Sequence, residues 1–462
     1  MRSFALVVVG LAGLAGSAAA QPAQPATAAI TPAAQTFDEA VAALLARPGG
    51  LTSDDAARRA VKASATVQRK IAETDGARSG LSSVMYALVP ITKVSAGYTR
   101  LSDVELPQLA PGFSFPVFLN SYHVGAEVAI PLTDLFMRFP PLKRSTELGI
   151  DAAEAGQHTA EVGAALDARV AYYEWVRAEL SVVVAERLLL QVTANLGQVQ
   201  ALAEVNRVSR ADVLRLEAQQ AQVELALAQV SELTALRAEQ LRIAIGAAPD
   251  EPLTIGEDVR DIGDDAVVAS AVELTRTAIG RRGEFVALAA ARAALAQQRK
   301  AAKVDRLPKL AVFAQAVYDN PNQRIIPAEA DFAFTWAAGA SITWSLNDYL
   351  HAGPHDAKWD AELRAVDADR QALELGVRAQ VTAARQGVVL ADRAYAATRR
   401  GLAAAEESHR VRQELLAAER ATAIELIDAE AELTRARIAA IDALIDRRIA
   451  RARLEHVTGE QR

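Results

Sequence analysis

"VGAEVAIPLTD" occupies residues 124–134, and "AGASITWSLND" occupies residues 338–348. Gly125 answers to Gly339, Leu132 to Leu346 and Asp134 to Asp348, all at one offset (339 − 125 = 214). Within the first stretch Val124, Ala126, Val128 and Ile130 fall on one side and Glu127 on the other. Within the second, Ala340, Ile342, Trp344 and Leu346 oppose Ser341, Thr343 and Ser345. Alternation of period two predicts a strand with one apolar and one polar face. The shared glycine is expected to mark the strand start, and the final Asp134 or Asp348 to cap a following helix.

Each stretch leads into a long run free of proline. None lies between Pro141 and Pro249, and none after Pro354. Interior proline costs a helix about 3 kcal/mol, so both regions can be continuously helical. One break is expected in each, at "EVNRVSRAD" (204–212) and at "LLAAERATAIE" (415–425). This divides the regions into long helices over 142–206 and 355–416, with shorter returning helices over 211–245 and 422–457. Each pair makes an antiparallel hairpin. Val377, Val381, Ala384, Val388, Ala391, Tyr395, Thr398, Leu402 and Ala405 follow alternating steps of four and three, a close-packing coiled-coil seam. Val162, Leu166, Tyr173, Val176, Leu180, Val183 and Leu190 trace a comparable seam. Gly149, Gly156 and Gly163 recur every seven residues, either as tolerated glycines or as a site of close helix approach.

The returning helices also echo each other. "DVLRLEAQ" from Asp212 matches "ELIDAEAE" from Glu425 at an offset of 213, and Gly246 matches Gly459 at the same offset. The chain therefore reads as a tandem duplication: residues 51–248 and 270–462, joined by a linker over 249–269 rich in turn residues and acid. Each half also carries an earlier strand candidate, "ITKVSAGYTRL" from Ile91 and "LPKLAVFAQAVYD" from Leu307. Ahead of the repeats, residues 1–20 read as a signal peptide with Arg2, a short apolar core and "SAAA" before Gln21. Residues 21–50 are expected to be a flexible N-terminal segment.

Composition sets limits. Aromatic residues are 5% of the chain while alanine abounds, which favours thin helical architecture over a thick core. There is no cysteine, excluding disulfides, thiolate metal sites and cysteine catalysis. With net charge −7 and no strongly basic block, nucleic-acid binding has no electrostatic footprint. No twenty-residue membrane helix is expected after the leader. No Ser-His-Asp order, phosphate-binding glycine loop or nucleotide fingerprint is evident, so no enzyme activity and no cofactor are expected. His351 and His355 in "HAGPH" have metal-ligand spacing, but Gly353-Pro354 makes a helix-start turn the better reading.

Two strands per half give four per chain, too few to close a barrel. An exported chain with such strands and long outer loops fits a membrane barrel built by several chains; three would supply 12 strands. With its duplication, "IPLTD" and "WSLND", and "ADVLRLEAQ" and "AIELIDAEA" behind the helix turns, the chain resembles the TolC-like outer-membrane efflux protein family from about Leu51 to Gly459. That resemblance implies a homotrimer with a 12-stranded barrel in the outer membrane and a coiled-coil α-helical tunnel in the periplasm. It implies a passive exit duct for efflux or type I secretion, joined to an inner-membrane pump through a periplasmic adaptor. The competing reading is a soluble periplasmic coiled-coil scaffold or adaptor, which leaves the strands unexplained.

The resemblance also implies sites. The family narrows its periplasmic entrance with carboxylates in "DVLD"; here Asp212 takes the first place in one half, with Arg215 in the second, and Glu425 and Asp428 take both in the other. Arg210 and Arg420 are placed to close salt bridges with these acids. Ordinary solvated helix face is the bland alternative for the whole set. Adaptors would dock at the hairpin tips, Asn206, Val208, Ser209, Glu419 and Ala421. The chain departs from the family where glycine is usual, at Asn206 and Glu419, and after the passage aspartates, with Leu135 and Phe136 and with Tyr349 and Leu350. Trp336, Trp344, Tyr98, Tyr122, Phe113, Phe115 and Phe118 are candidates for interfacial aromatic girdles, with loop packing as the alternative.

Overall fold

A computed structural model describes residues 37–103, 117–205, 207–261, 269–418 and 420–460. The leader, residues 21–36, Phe113, Phe115, Asn206 and Glu419 lie outside the described residues. In chain order the elements are α1 (Phe37–Leu44), α2 (Ser53–Ala63), α3 (Ala65–Met85), β1 (Ile91–Arg100), β2 (Asn120–Pro131), α4 (Phe139–Glu204) and α5 (Arg210–Ile245). They continue as α6 (Ala271–Arg281), α7 (Gly283–Lys303), β3 (Lys309–Asn320), β4 (Ala333–Thr343), α8 (Leu346–Leu350), α9 (Ala352–Ala417) and α10 (Ala423–Thr458).

The duplication extends to element lengths. α2 and α6 each have 11 residues, α3 and α7 have 21, α4 and α9 have 66, and α5 and α10 have 36. The offset is 218 before the strand hairpin (271 − 53) and 213 after it (352 − 139). Because the hairpins align Gly125 with Gly339 at 214, the outer connection of the first half is four residues longer (218 − 214). The last residue of difference falls in the passage after β2. There Asp134–Arg138 winds as a π-helical turn, the local form that accommodates an extra residue.

Caps explain the helix ends. Ser209 and Asp212 form a capping box on α5, Thr422 and Glu425 on α10, and Ser270 and Glu273 on α6. Gly246 and Gly459 close α5 and α10 in the left-handed conformation, at φ of 65° and 69°. A Cβ at Gly246 would lie 2.5 Å from Ala63 Cβ, so Gly246→Ala combines dihedral strain with a clash. We expect a loss of about 1–2 kcal/mol from the backbone alone, read as a lowered midpoint in thermal unfolding.

The core sits at mid-height of the helices. Tyr172, Trp175, Val176 and Leu180 of α4 meet Leu241 and Ile245 of α5 and Ile445 and Ile449 of α10. Val41 and Leu45 complete this cluster, so part of the segment expected to be flexible is a docked helix. The described first part of the linker, residues 249–261, is packed as well: Ile255 and Val259 are buried, and Leu51 bridges Ile255 in parallel. Glu257 accepts from the Ser53 amide (3.1 Å) and hydroxyl (2.9 Å), and Ser53 Oγ accepts from the Tyr173 hydroxyl (3.2 Å). Burial, with Glu257 nearby, pushes the Tyr173 phenol up to about 12.

Two seam expectations need correction. Leu190 is 63% exposed, because the buried stripe of α4 shifts to Val184, Val192 and Leu196. Space is open beside Gly149, Gly156 and Gly163; the close approach occurs instead at Gly283, whose added Cβ would meet Thr159 Oγ1 at 2.7 Å. The seam of α9 is buried at Val377, Val381, Val388 and Ala391. An 18-residue window in the run Asp134–Glu204 has mean hydropathy 1.2, apolar enough to cross a membrane by length and composition, which corrects the expectation that no such window exists.

All four strands form one antiparallel sheet in the order β1-β2-β3-β4, with β2 and β3 joining the two halves. Gly125 and Gly339 lie within β2 and β4, not at their starts, since both strands begin several residues earlier. The register places Val94, Val124, Ala126, Val128, Ala316, Ala338, Ala340 and Ile342 on one face. Lys93, Ser95, His123, Glu127, Gln315, Asp319 and Thr335 lie on the other. The apolar face is uncovered: Val94 is 78% exposed, Trp336 68% and Ile342 73%. Among the described residues β1 and β4 each have one unpaired edge.

Candidate functional site

At the far end of the helices the two hairpin turns lie together. Leu196, Val199 and Leu216 of the first hairpin form a small core with Val208, Val213 and Ile427. Between the turns lies a cavity of about 650 Å³, whose lining includes Asn195, Arg207, Val208, Leu416, Ala421 and Thr422. Of the expected tip residues, Val208 and Ala421 therefore face this cavity, and Ser209 is committed to capping.

Capping also claims two of the three acids. The Ser209 hydroxyl donates to Asp212 Oδ2 at 2.6 Å and the Ser209 amide donates at 3.2 Å. These bonds hold the Asp212 carboxyl below its ordinary range, the hydroxyl contributing most. The cap contribution is therefore complete at neutral pH and is lost as pH falls through that lowered value. Glu425 accepts from the Thr422 amide (3.4 Å) and pairs with Arg412 at 2.9 Å. The expected closing partners are thus corrected: within one chain Asp212 is held by Ser209 and Glu425 by Arg412, not by Arg210 or Arg420. In a capping box the N3 carboxylate accepts from the N-cap amide, and these local bonds engage Asp212 and Glu425 first. Asp428, one turn further along α10, is exposed and makes no ion pair among the described residues; Arg210 and Arg420 are exposed too.

A buried carboxylate that sequence reading did not single out lies just above. Glu430 is 3% exposed and accepts from Asn195 Nδ2 (2.7 Å) and Gln191 Nε2 (3.1 Å) of α4, with His409 Nε2 of α9 at 3.8 Å. It ties the second hairpin to the first. Its counterpart by repeat, Glu217, is exposed, so the repeat itself gave no signal of burial.

At the strand-to-helix passage the aspartates are not caps. Asp348 sits at the third position of α8, where its amide donates to the capping hydroxyl of Ser345 at 3.4 Å. Asp134 opens the π-helical turn, and the residue before it, Thr133, is already helical in φ and ψ. Thr133 instead ties β2 to β3: its hydroxyl accepts from the Leu310 amide (2.8 Å) and donates to the Pro308 carbonyl (3.1 Å). Arg138 pairs with Asp305 at 2.8 Å. His351 lies at the α8–α9 junction and His355 in the first turn of α9. Among the described residues no three His, Asp or Glu side chains gather to hold a metal ion.

The sheet carries aromatic rings at both ends. Tyr98 and Tyr122 (centroids 5.1 Å apart) and Tyr318 and Phe332 (5.1 Å) lie toward the outer loops. Trp344 and Tyr349 (6.2 Å), with exposed Tyr86 and Phe136, lie toward the helices. On the polar face the register brings together Ser95, His123 and Asp319, a Ser-His-Asp set in chain order that sequence reading did not find.

No family model matches the sequence, and no curated protein matches it. Solved structures do match the fold. The outer-membrane channel OprN superposes with a TM-score of 0.71 at 18% identity, covering 92% of this chain and 91% of that one. The Campylobacter jejuni CmeC outer membrane channel gives 0.73 at 12% identity, covering 88% and 85%. The open state of the Neisseria gonorrhoeae MtrE outer membrane channel gives 0.69 at 18% identity, covering 88% of each chain. The chain thus has the TolC-like fold of these channels.

Proposed function

We propose that three copies of this chain form an outer-membrane exit duct, with a closed 12-stranded barrel in the membrane and a helical tunnel in the periplasm. One observation carries the reading: a four-stranded sheet whose apolar face is uncovered and whose two edges are open among the described residues. In water both features are liabilities, and closure in lipid removes both. Dimensions agree. From Ala333 to Thr343, β4 rises through about ten residue steps, about 33 Å of strand, and a tilt near 40° reduces this to about 25 Å, the height of an apolar barrel band. Helices of 66 residues reach about 99 Å. The sheet also weighs against the soluble periplasmic scaffold, which would leave its apolar face wet.

As a duct the protein is passive. An inner-membrane pump and a periplasmic adaptor supply energy and delivery, and the cavity between the hairpin tips is where the adaptor is expected to engage. Fractionation tests the reading: heat-stable trimers in detergent extracts of the outer membrane, conducting ions in planar bilayers, are expected. Recovery as soluble periplasmic protein would overturn it.

With Asp212 and Glu425 engaged in caps, Asp428 is the acid free to ring the entrance. A unit charge about 4 Å from a permeating ion is worth about 1 kcal/mol in water. Asp428→Asn should therefore lower cation preference about fivefold in reversal-potential measurements, leaving trimer stability unchanged. An unaltered reversal potential rejects the ring.

A further inference from the structure

We propose that Ser95, His123 and Asp319 form a nucleophilic triad that hydrolyses small activated esters on the polar face of the sheet. Ser95 Oγ lies 3.1 Å from His123 Nε2, and His123 Nδ1 lies 2.7 Å from Asp319 Oδ1. Acyl transfer requires this sequence of contacts: a hydroxyl on one ring nitrogen, and a carboxylate on the other to fix the tautomer. Asp319 and His123 are partly covered, at 24% and 44% exposure, while Ser95 is open to a substrate.

The backbone makes room for the contact. His123 sits opposite Asp319, and Ser95 sits opposite Gly125. A Cβ on Gly125 would lie 2.9 Å from His123 Nε2 and 3.4 Å from Ser95 Oγ. Only glycine there lets the imidazole lie along the strand toward the hydroxyl. The duplicate hairpin provides the control. At the positions of Ser95 and His123 it carries Phe313 and Ala337, in the same register around Gly339. The sheet therefore forms without this set, and a purely structural need does not account for it.

Chemistry limits the substrate. Ser95 lies in a regular strand, whose successive amides point to opposite sides, one set toward β2 and the other toward the open edge, so they do not converge as a pair on one oxyanion. The nearest cation along the same face is Lys93, about 7 Å away along the strand. Esters with good leaving groups, such as aryl esters, are the class such a site can turn over. Ser95 Oγ attacks the acyl carbon as its proton passes to His123 Nε2. The acyl–oxygen bond to the leaving group then breaks, and His123 returns the proton to the departing alkoxide or phenoxide. Water next adds to the acyl-serine, giving its proton to His123. The carboxylic acid leaves and Ser95 regains the proton. Asp319 acts as a positioning residue.

The test uses the full chain purified in detergent, with p-nitrophenyl acetate and a fluorophosphonate probe. The expected results are a burst approaching one phenolate per chain and both adducts on the Ser95 peptide. Ser95→Ala should abolish both. Asp319→Asn should slow acylation at least tenfold, with partial rescue by Asp319→Glu. Peptide mapping on the unaltered chain makes the test independent of how the variants fold. Adducts elsewhere, no burst above buffer, or an unchanged rate in Ser95→Ala overturn the proposal. All three residues lie in one chain, so esterolysis is read separately from oligomeric state and conductance.

Discussion

Val94→Arg is expected to abolish trimers in the outer membrane. Val94 lies at the middle of β1, opposite Ala126, on the uncovered apolar face. In a lipid-facing barrel wall, arginine at mid-depth costs about 2–4 kcal/mol, and three copies bring the penalty to about 6–12 kcal/mol per trimer. β1 is also an edge strand, so in the proposed barrel the charge would lie where one chain pairs with the next. Gln315→Arg, equally deep in the sheet but on the polar face, should still yield heat-stable trimers with altered conductance. The pair of variants separates a lipid-facing sheet from a generally fragile one. Equal assembly of both would sink the barrel reading, and equal failure would point to folding instead.

The contrast works because facing is fixed by the two-residue period of a strand, and that period was legible. Period-two alternation in "VGAEVAIPLTD" and "GASITWSL" assigned the two faces correctly, since a one-residue slip would turn every side chain over. Helix extents were legible too: proline-free runs bounded them, and Ser209-x-x-Asp212 and Thr422-x-x-Glu425 mark two of their starts. Other features depend on contacts between distant residues. The helix at Phe37–Leu44 looked like an extension of the alanine- and proline-rich segment before it, yet it is held by α4 and the linker. The tip acids matched a pore motif, but local capping takes two of them first. Ser95, His123 and Asp319 stand 28 and 196 residues apart, and only the pairing of three strands brings them together.

Trp175→Ala is expected to be the most damaging single truncation in the helical part. Trp175 is 1% exposed, packs edge-on against Tyr172 at 5.9 Å, and donates from Nε1 to Glu179 Oε1 at 3.0 Å. Removing a buried tryptophan side chain costs about 3–5 kcal/mol, a large share of the 5–15 kcal/mol that holds typical folds. For a chain of this length melting as one unit, that lowers the midpoint by about 3–6 °C. The loss should also depend on pH. Burial raises the Glu179 carboxyl above its ordinary value, and the indole hydrogen bond opposes that shift. Without the donor the value rises further, so ionised Glu179 becomes costlier above its folded pKa. That extra cost disappears as pH falls through the two raised folded-state values, below which Glu179 is protonated in the folded state with or without the donor. The deficit of Trp175→Ala against the parent chain should thus shrink in mildly acidic buffer, measured by thermal unfolding of the helical signal. A deficit independent of pH would assign the whole effect to lost packing, and an unchanged midpoint would remove this cluster from the centre of the fold.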